Sequence, residues 1–235
     1  MSDKITPVVE LELYLVRHGE SYGNVPRDTP GRLPEDDADP RLTPDGELQA
    51  RLLGEHFSRV TLDCVMSSGL RRAMSTARAV TENQSAGGAH EVEIYPILSE
   101  SGTCSEQAYK TPEQLKALLP CAVCPQSDFS LDMSCEDDAA RLFRANEFIA
   151  GLRRRFKSGE KVLVAAHACF NTFIYFAALG LDSNQPFDAD FYNTGVTKFI
   201  FYAKGTGLYG ADTVVAYHND HSHLHTQFPM LGFNI

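Results

Sequence analysis

LYLVRHGES, residues 13–21, carries four apolar residues directly into an arginine, a histidine and a glycine. A run of that kind reads as a strand buried on both faces whose carboxyl end turns abruptly polar. In open α/β sheets that end is where ligands bind. Gly19 lets a ligand approach the backbone closely, and Arg17 offers a planar fork of donors matched to phosphate oxygens. Ser21 and Asn24 add neutral hydrogen-bonding groups nearby. The plain alternative is an exposed basic pair after a strand, so the rest of the chain has to decide.

Outward from this stretch, strand-like and helix-like runs alternate. Strands are expected at 11–16, 64–67, 92–95, 161–166, 197–202 and 213–217, and helices at 44–57, 70–81, 136–156 and 170–179. This alternation predicts an α/β fold, a three-layer α/β/α arrangement around a mainly parallel sheet of about six strands. Thr43 followed by Pro44 marks a helix start, a capping hydroxyl before a proline in the first turn. Between residues 101 and 136 the periodicity fades into a possible short helix at 112–119 and a loop-like CAVCPQSD. That segment is read as a small helical and loop insertion, a lid over a pocket. The whole of 1–235 is expected to form one domain.

Bulk properties narrow the function classes. A net charge of −10 opposes nonspecific attraction to nucleic acid or anionic membrane. No apolar run is long enough to span a bilayer, and the MSDKITPVVE start has no apolar signal core, so a soluble cytoplasmic protein is expected. The six cysteines are too sparse for a disulfide scaffold and are expected as thiols. An acidic chain acting on an anion must gather its positive charge locally.

Several motifs, in order along nearly the whole chain, resemble those of the histidine phosphatase superfamily, the group that includes phosphoglycerate mutases. They are VRHGES at 16–21, LTPDGELQARLLG at 42–54, SSGLRRAMSTA at 67–77, LSE at 98–100 and VLVAAH at 162–167. The resemblance implies a site built from Arg17, His18, Arg72, Glu100 and His167, with Ser21 and Asn24 also contacting phosphate. Arg71 falls outside it and is expected as a solvated helix residue. The resemblance also implies catalysis without a metal or organic cofactor. One departure is that the superfamily usually has glycine after the second histidine, where this chain has Ala168. The larger side chains predict a shifted helix start or a narrower pocket. Cys169 is expected to be a buried, inert thiol.

The chemistry follows from the residue types. An attacking imidazole must be neutral, and Arg17 and Arg72 beside His18 favour that form. Phosphoryl transfer spreads charge over three oxygens, which Arg17, Arg72 and His167 can receive. The leaving oxygen needs a proton, for which Glu100 is the candidate donor, and later the base. The expected activity is a phosphatase, a phosphomonoester hydrolase of the cofactor-independent histidine acid phosphatase type, acting on a small phosphorylated metabolite. A mutase is the alternative, and a noncatalytic phosphoester-binding module a further one. Lys110 and Lys116 are the only lysines or arginines between Arg78 and Arg141, a poverty that favours net hydrolysis over holding a doubly phosphorylated intermediate. Neither Cys121 with Cys124 nor the HNDHSHLH tail at 218–225 is taken as a metal site. Oligomeric state is open, a homodimer included.

Overall fold

The computed structural model describes residues 6–100, 110–125, 136–182, 189–225 and 227. Seven strands form one sheet among these residues: β1 (Val9–Arg17), β2 (Cys64–Ser67), β3 (Val92–Ile94), β4 (Ala122–Val123), β5 (Glu160–Ala166), β6 (Val196–Tyr202) and β7 (Thr213–Asp220). Their order is β4-β3-β2-β5-β1-β6-β7. The first five in that order run parallel, and β6 is antiparallel to both β1 and β7. Five helices accompany them: α1 (Pro44–Phe57), α2 (Arg71–Thr81), α3 (Pro112–Leu118), α4 (Asp138–Arg155) and α5 (Ala168–Leu179).

The strands at the centre alternate between two cores. Leu11, Leu13 and Leu15 of β1, with Val162 and Val164 of β5, face Phe148, Leu152, Phe170 and Ile174 of α4 and α5. Tyr14, Val16, Leu163 and Ala165 face Leu53, Phe57, Met74 and Val80 of α1 and α2. Burial on both faces explains why these strands read as continuous apolar runs.

The sheet has seven strands where about six are expected. The additional one, β4, is two residues long, lies at the sheet edge and falls within the CAVC segment that reads as loop. Residues 110–125 therefore belong partly to the sheet. Leu115 and Leu119 of the expected short helix are buried in the core that α1 and α2 share. The remainder of the expected lid, 101–109 and 126–135, lies outside the described residues. No helix among the described residues is long and apolar enough to cross a membrane.

Local capping sets α1 against the loop that follows β1. The Thr43 hydroxyl accepts the Gly46 N–H at 3.1 Å, and Pro44 occupies the first turn. A side chain at Gly46 would place its Cβ 1.8 Å from the Glu20 carbonyl oxygen, so helix and loop meet backbone to backbone. Gly54 plays the same part between helices, since a Cβ there would lie 2.2 Å from the Ala79 carbonyl of α2. Alanine at position 54 would gain about 1 kcal/mol of helix propensity, but overpacking costs roughly 1–3 kcal/mol. Gly54→Ala is therefore expected to lower the denaturant midpoint with an unchanged slope; a midpoint at or above that of the parent would show that the helices part freely.

Candidate active site

The register between β1 and β5 brings two histidines together. Arg17 pairs with Ala166 at the ends of the parallel strands, so His18 and His167 each come next along neighbouring chains. The His18 N–H donates to the Ala166 carbonyl at 3.0 Å, and the two imidazole centroids lie 5.2 Å apart. The chain leaves β1 for one side of the sheet and β5 for the other, so these strand ends form a topological switch point.

The His18 tautomer follows from its partners. Nδ1 lies 2.7 Å from the Gly19 carbonyl oxygen, which can only accept, so Nδ1 carries the proton. Nε2 is then a lone-pair nitrogen, and it accepts the Arg72 Nε–H at 3.1 Å. Burial pushes the His18 pKa well below the ordinary value, with Arg72 and then Arg17 pressing the same way and the Gly19 hydrogen bond opposing. The neutral form expected from the arginines is thus favoured first by desolvation.

His167 is fully buried and sits between Ser68 and the arginines. Its Nε2 is 2.7 Å from the Ser68 hydroxyl, which also accepts the Leu70 N–H at 3.3 Å. Assigning the Ser68 proton to Nε2 leaves the imidazole proton on Nδ1, a buried atom with no partner among the described residues. Burial, then Arg72, His18 and Arg17, hold the His167 pKa well below its usual value.

Arg17 donates Nη1 to the Phe191 carbonyl at 2.7 Å, while its buried Nε has no partner among the described residues. Glu100 interacts electrostatically with both Arg17 and Arg72, and its Oε1 accepts the Phe170 N–H in the first turn of α5 at 3.1 Å. The five residues expected from the sequence therefore converge from the carboxyl ends of β1, β2, β3 and β5. Ser21 and Asn24 are bonded to each other: Asn24 Oδ1 accepts both the N–H and the hydroxyl of Ser21 at 3.0 Å.

Several supporting residues carry no sequence signal of their own. Asn193 Nδ2 donates to the His18 carbonyl at 2.9 Å, and the Thr194 N–H to the Arg17 carbonyl at 2.9 Å. Thr194 does this from a left-handed backbone, φ 57°, a strained conformation for a β-branched residue. Asp39 is buried, accepts the Arg71 N–H at the start of α2 at 3.0 Å and pairs with Lys110 at 2.5 Å. Ser68 was within reach of sequence reading, since it belongs to SSGLRRA and lies between strand and helix.

The departure after His167 has a structural account. His167 is extended, φ −131°, which any residue can adopt, and α5 begins at once with Ala168. Cys169 is exposed rather than buried because it points out from that first turn, while Phe170 takes the inward position. The histidine-rich tail is occupied in packing. His218 lies 3.0 Å from the Thr197 hydroxyl and His223 3.0 Å from that of Thr194. No group of three or more potential ligands is placed to hold a metal among the described residues.

A profile of the histidine phosphatase superfamily (branch 1) matches residues 13–211. The chain belongs to that superfamily. Phosphoserine phosphatase 1 of Hydrogenobacter thermophilus is 29% identical to it over 179 residues, covering 74% of this chain and 79% of that one. The adenosylcobalamin/α-ribazole phosphatase of Escherichia coli K12 is 30% identical over 159 residues, 67% and 73% of the two chains. A probable phosphoglycerate mutase of Serratia proteamaculans matches at 39% over 72 residues, 31% of each chain. Among solved structures, a phosphoserine phosphatase of Entamoeba histolytica in complex with phosphoserine superposes with a TM-score of 0.61 at 22% identity, covering 91% of this chain and 99% of that one. Such identity supports the shared fold. As a histidine phosphatase superfamily member, the chain is a phosphatase or mutase-like enzyme.

One titration follows from the tail. Burial, followed by the neighbouring His56 and opposed by Asp220, pushes the His223 pKa down to about 4. The unfolded chain takes up that proton near pH 6.5. His223 therefore contributes its full stability above pH 6.5 and loses it as pH falls towards 4, on the order of 3 kcal/mol. His223→Gln is expected to flatten the fall in melting temperature between pH 6.5 and 4; an unaltered profile would place the tail's proton uptake elsewhere.

Proposed function

We propose that the chain is a phosphomonoester hydrolase that passes the phosphoryl group through His18. The observation that carries this reading is the His18 imidazole: buried, neutral, with Nδ1 tied to its own backbone and Nε2 facing Arg72 at 3.1 Å. Nε2 attacks phosphorus as the bond to the leaving oxygen breaks, and Glu100 gives that oxygen its proton. Water then attacks the phosphohistidine, Glu100 takes a proton from it, and the N–P bond breaks to release phosphate. Arg17 Nε and His167 Nδ1, two buried donors at this site without partners among the described residues, suit the equatorial oxygens. Proton transfer of this kind contributes about 10² to 10⁴ in rate. No step draws on a metal or organic cofactor.

Hydrolysis is favoured over mutase action because the two named phosphatases align over two thirds or more of both chains, whereas the mutase match spans under a third. Lys110, one of only two basic residues in its stretch, is also held by Asp39. Substrate is read as a small phosphorylated metabolite; phosphoserine and α-ribazole phosphate head the panel because similar proteins bear those names. The same reading takes 1–235 as one three-layer, cytoplasmic domain.

His18→Ala is expected to lose at least about 10⁴-fold in phosphate release while still binding orthophosphate through Arg17, Arg72 and His167. Retained turnover in that variant at any pH would remove the phosphohistidine route. Transfer of phosphate between phosphoglycerates by the parent protein, faster than its release to water, would favour the mutase instead.

A further inference from the structure

Arg144 of α4 lies outside the phosphate site, yet its guanidinium is only 6% exposed and fully engaged. Nε and Nη2 donate to the Glu136 carboxylate at 2.7 and 2.6 Å. Nη1 donates to two carbonyls at once, Ile97 at 2.6 Å and Ser99 at 2.9 Å. The plane lies 3.6 Å from the centre of the Phe170 ring. A buried ion pair contributes little net stability over apolar residues of the same volume. What a guanidinium supplies uniquely is a rigid fork of five donors.

All three partners besides Glu136 lead to Glu100. Ile97 and Ser99 form the turn that delivers it, and Phe170 supplies the N–H bound to its Oε1 at 3.1 Å. A single side chain thus fixes the Glu100 backbone from one side and its carboxyl from the other. We propose that Arg144 is a positioning residue that holds the Glu100 carboxyl for proton delivery to the leaving oxygen. This rests on the reading of Glu100 as proton donor.

The balance of that step supplies the test. As the P–O bond breaks, its electron pair stays on the leaving oxygen, which takes the Glu100 proton and leaves a carboxylate. An alkyl leaving group needs the proton; the 4-nitrophenolate of 4-nitrophenyl phosphate is stable without it. A misplaced donor therefore slows alkyl phosphates selectively, whereas a generally loosened site slows both. The readout is kcat/KM of the full chain for 4-nitrophenyl phosphate and for the best alkyl phosphate of the panel, with folding checked by thermal melts.

Glu100→Gln is expected to lose about 10²- to 10³-fold on the alkyl ester and far less on the aryl ester. Arg144→Gln is expected to lose roughly 10- to 10²-fold on the alkyl ester, since a displacement of about 1 Å suffices for that, and under about threefold on the aryl ester. Arg144→Gln added to Glu100→Gln should cost nothing further. Glu136→Gln, which loosens the fork while leaving Arg144 in place, should show the same selectivity at smaller size and serves if Arg144→Gln does not fold. Equal losses on both esters in the Arg144 and Glu136 variants, or full multiplication with Glu100→Gln, would overturn the positioning role. Absence of alkyl selectivity in Glu100→Gln itself would instead sink the proton-donor reading beneath it.

Discussion

Everything at the candidate site depends on the lateral alignment of two parallel strands. Arg17 lies opposite Ala166, and a hydrogen bond from His18 to Ala166 seals the pair one residue past the ladder. A shift of one residue would turn every side chain of β1 to the opposite face. The leucines at 11, 13 and 15 would then leave the α4 and α5 core for that of α1 and α2, so the packing of both cores defends the spacing of the imidazoles. Site geometry and core burial are in this sense one constraint.

Around that pair the fold removes freedom by backbone contact. Gly46 meets the Glu20 carbonyl, Asn193 holds the His18 carbonyl, and Thr194 accepts an unfavourable conformation to reach Arg17. The positive charge that a chain of net charge −10 needs is concentrated in the partly buried Arg17 and Arg72, each lowered in pKa by burial and partly compensated by acidic neighbours. Preorganised charge of this kind costs no rearrangement when an anion arrives.

Much of this was legible in the residues themselves. The central strands are continuous apolar runs because both faces are covered, and Thr43-Pro44 marked the start of α1. Arg17, His18, Arg72, Glu100 and His167 could be picked out because each sits in a short motif beside an element end. β4 escaped because two edge residues make no periodicity. Arg144 and Asn193 escaped for another reason: the backbone carbonyls they hold lie 45 or more residues away, and no local pattern announces such contacts. Cys169, expected buried, is exposed because the helix phase turns its position outward, and a single cysteine carries no pattern that gives that phase.

The hydrogen bond between His18 Nδ1 and the Gly19 carbonyl has a chemical corollary. With the pros nitrogen committed to the main chain, any phosphoramidate formed on this imidazole is the tele isomer. The two isomers are distinct compounds, so the backbone of a single glycine determines which chemical form of modified histidine the protein would display.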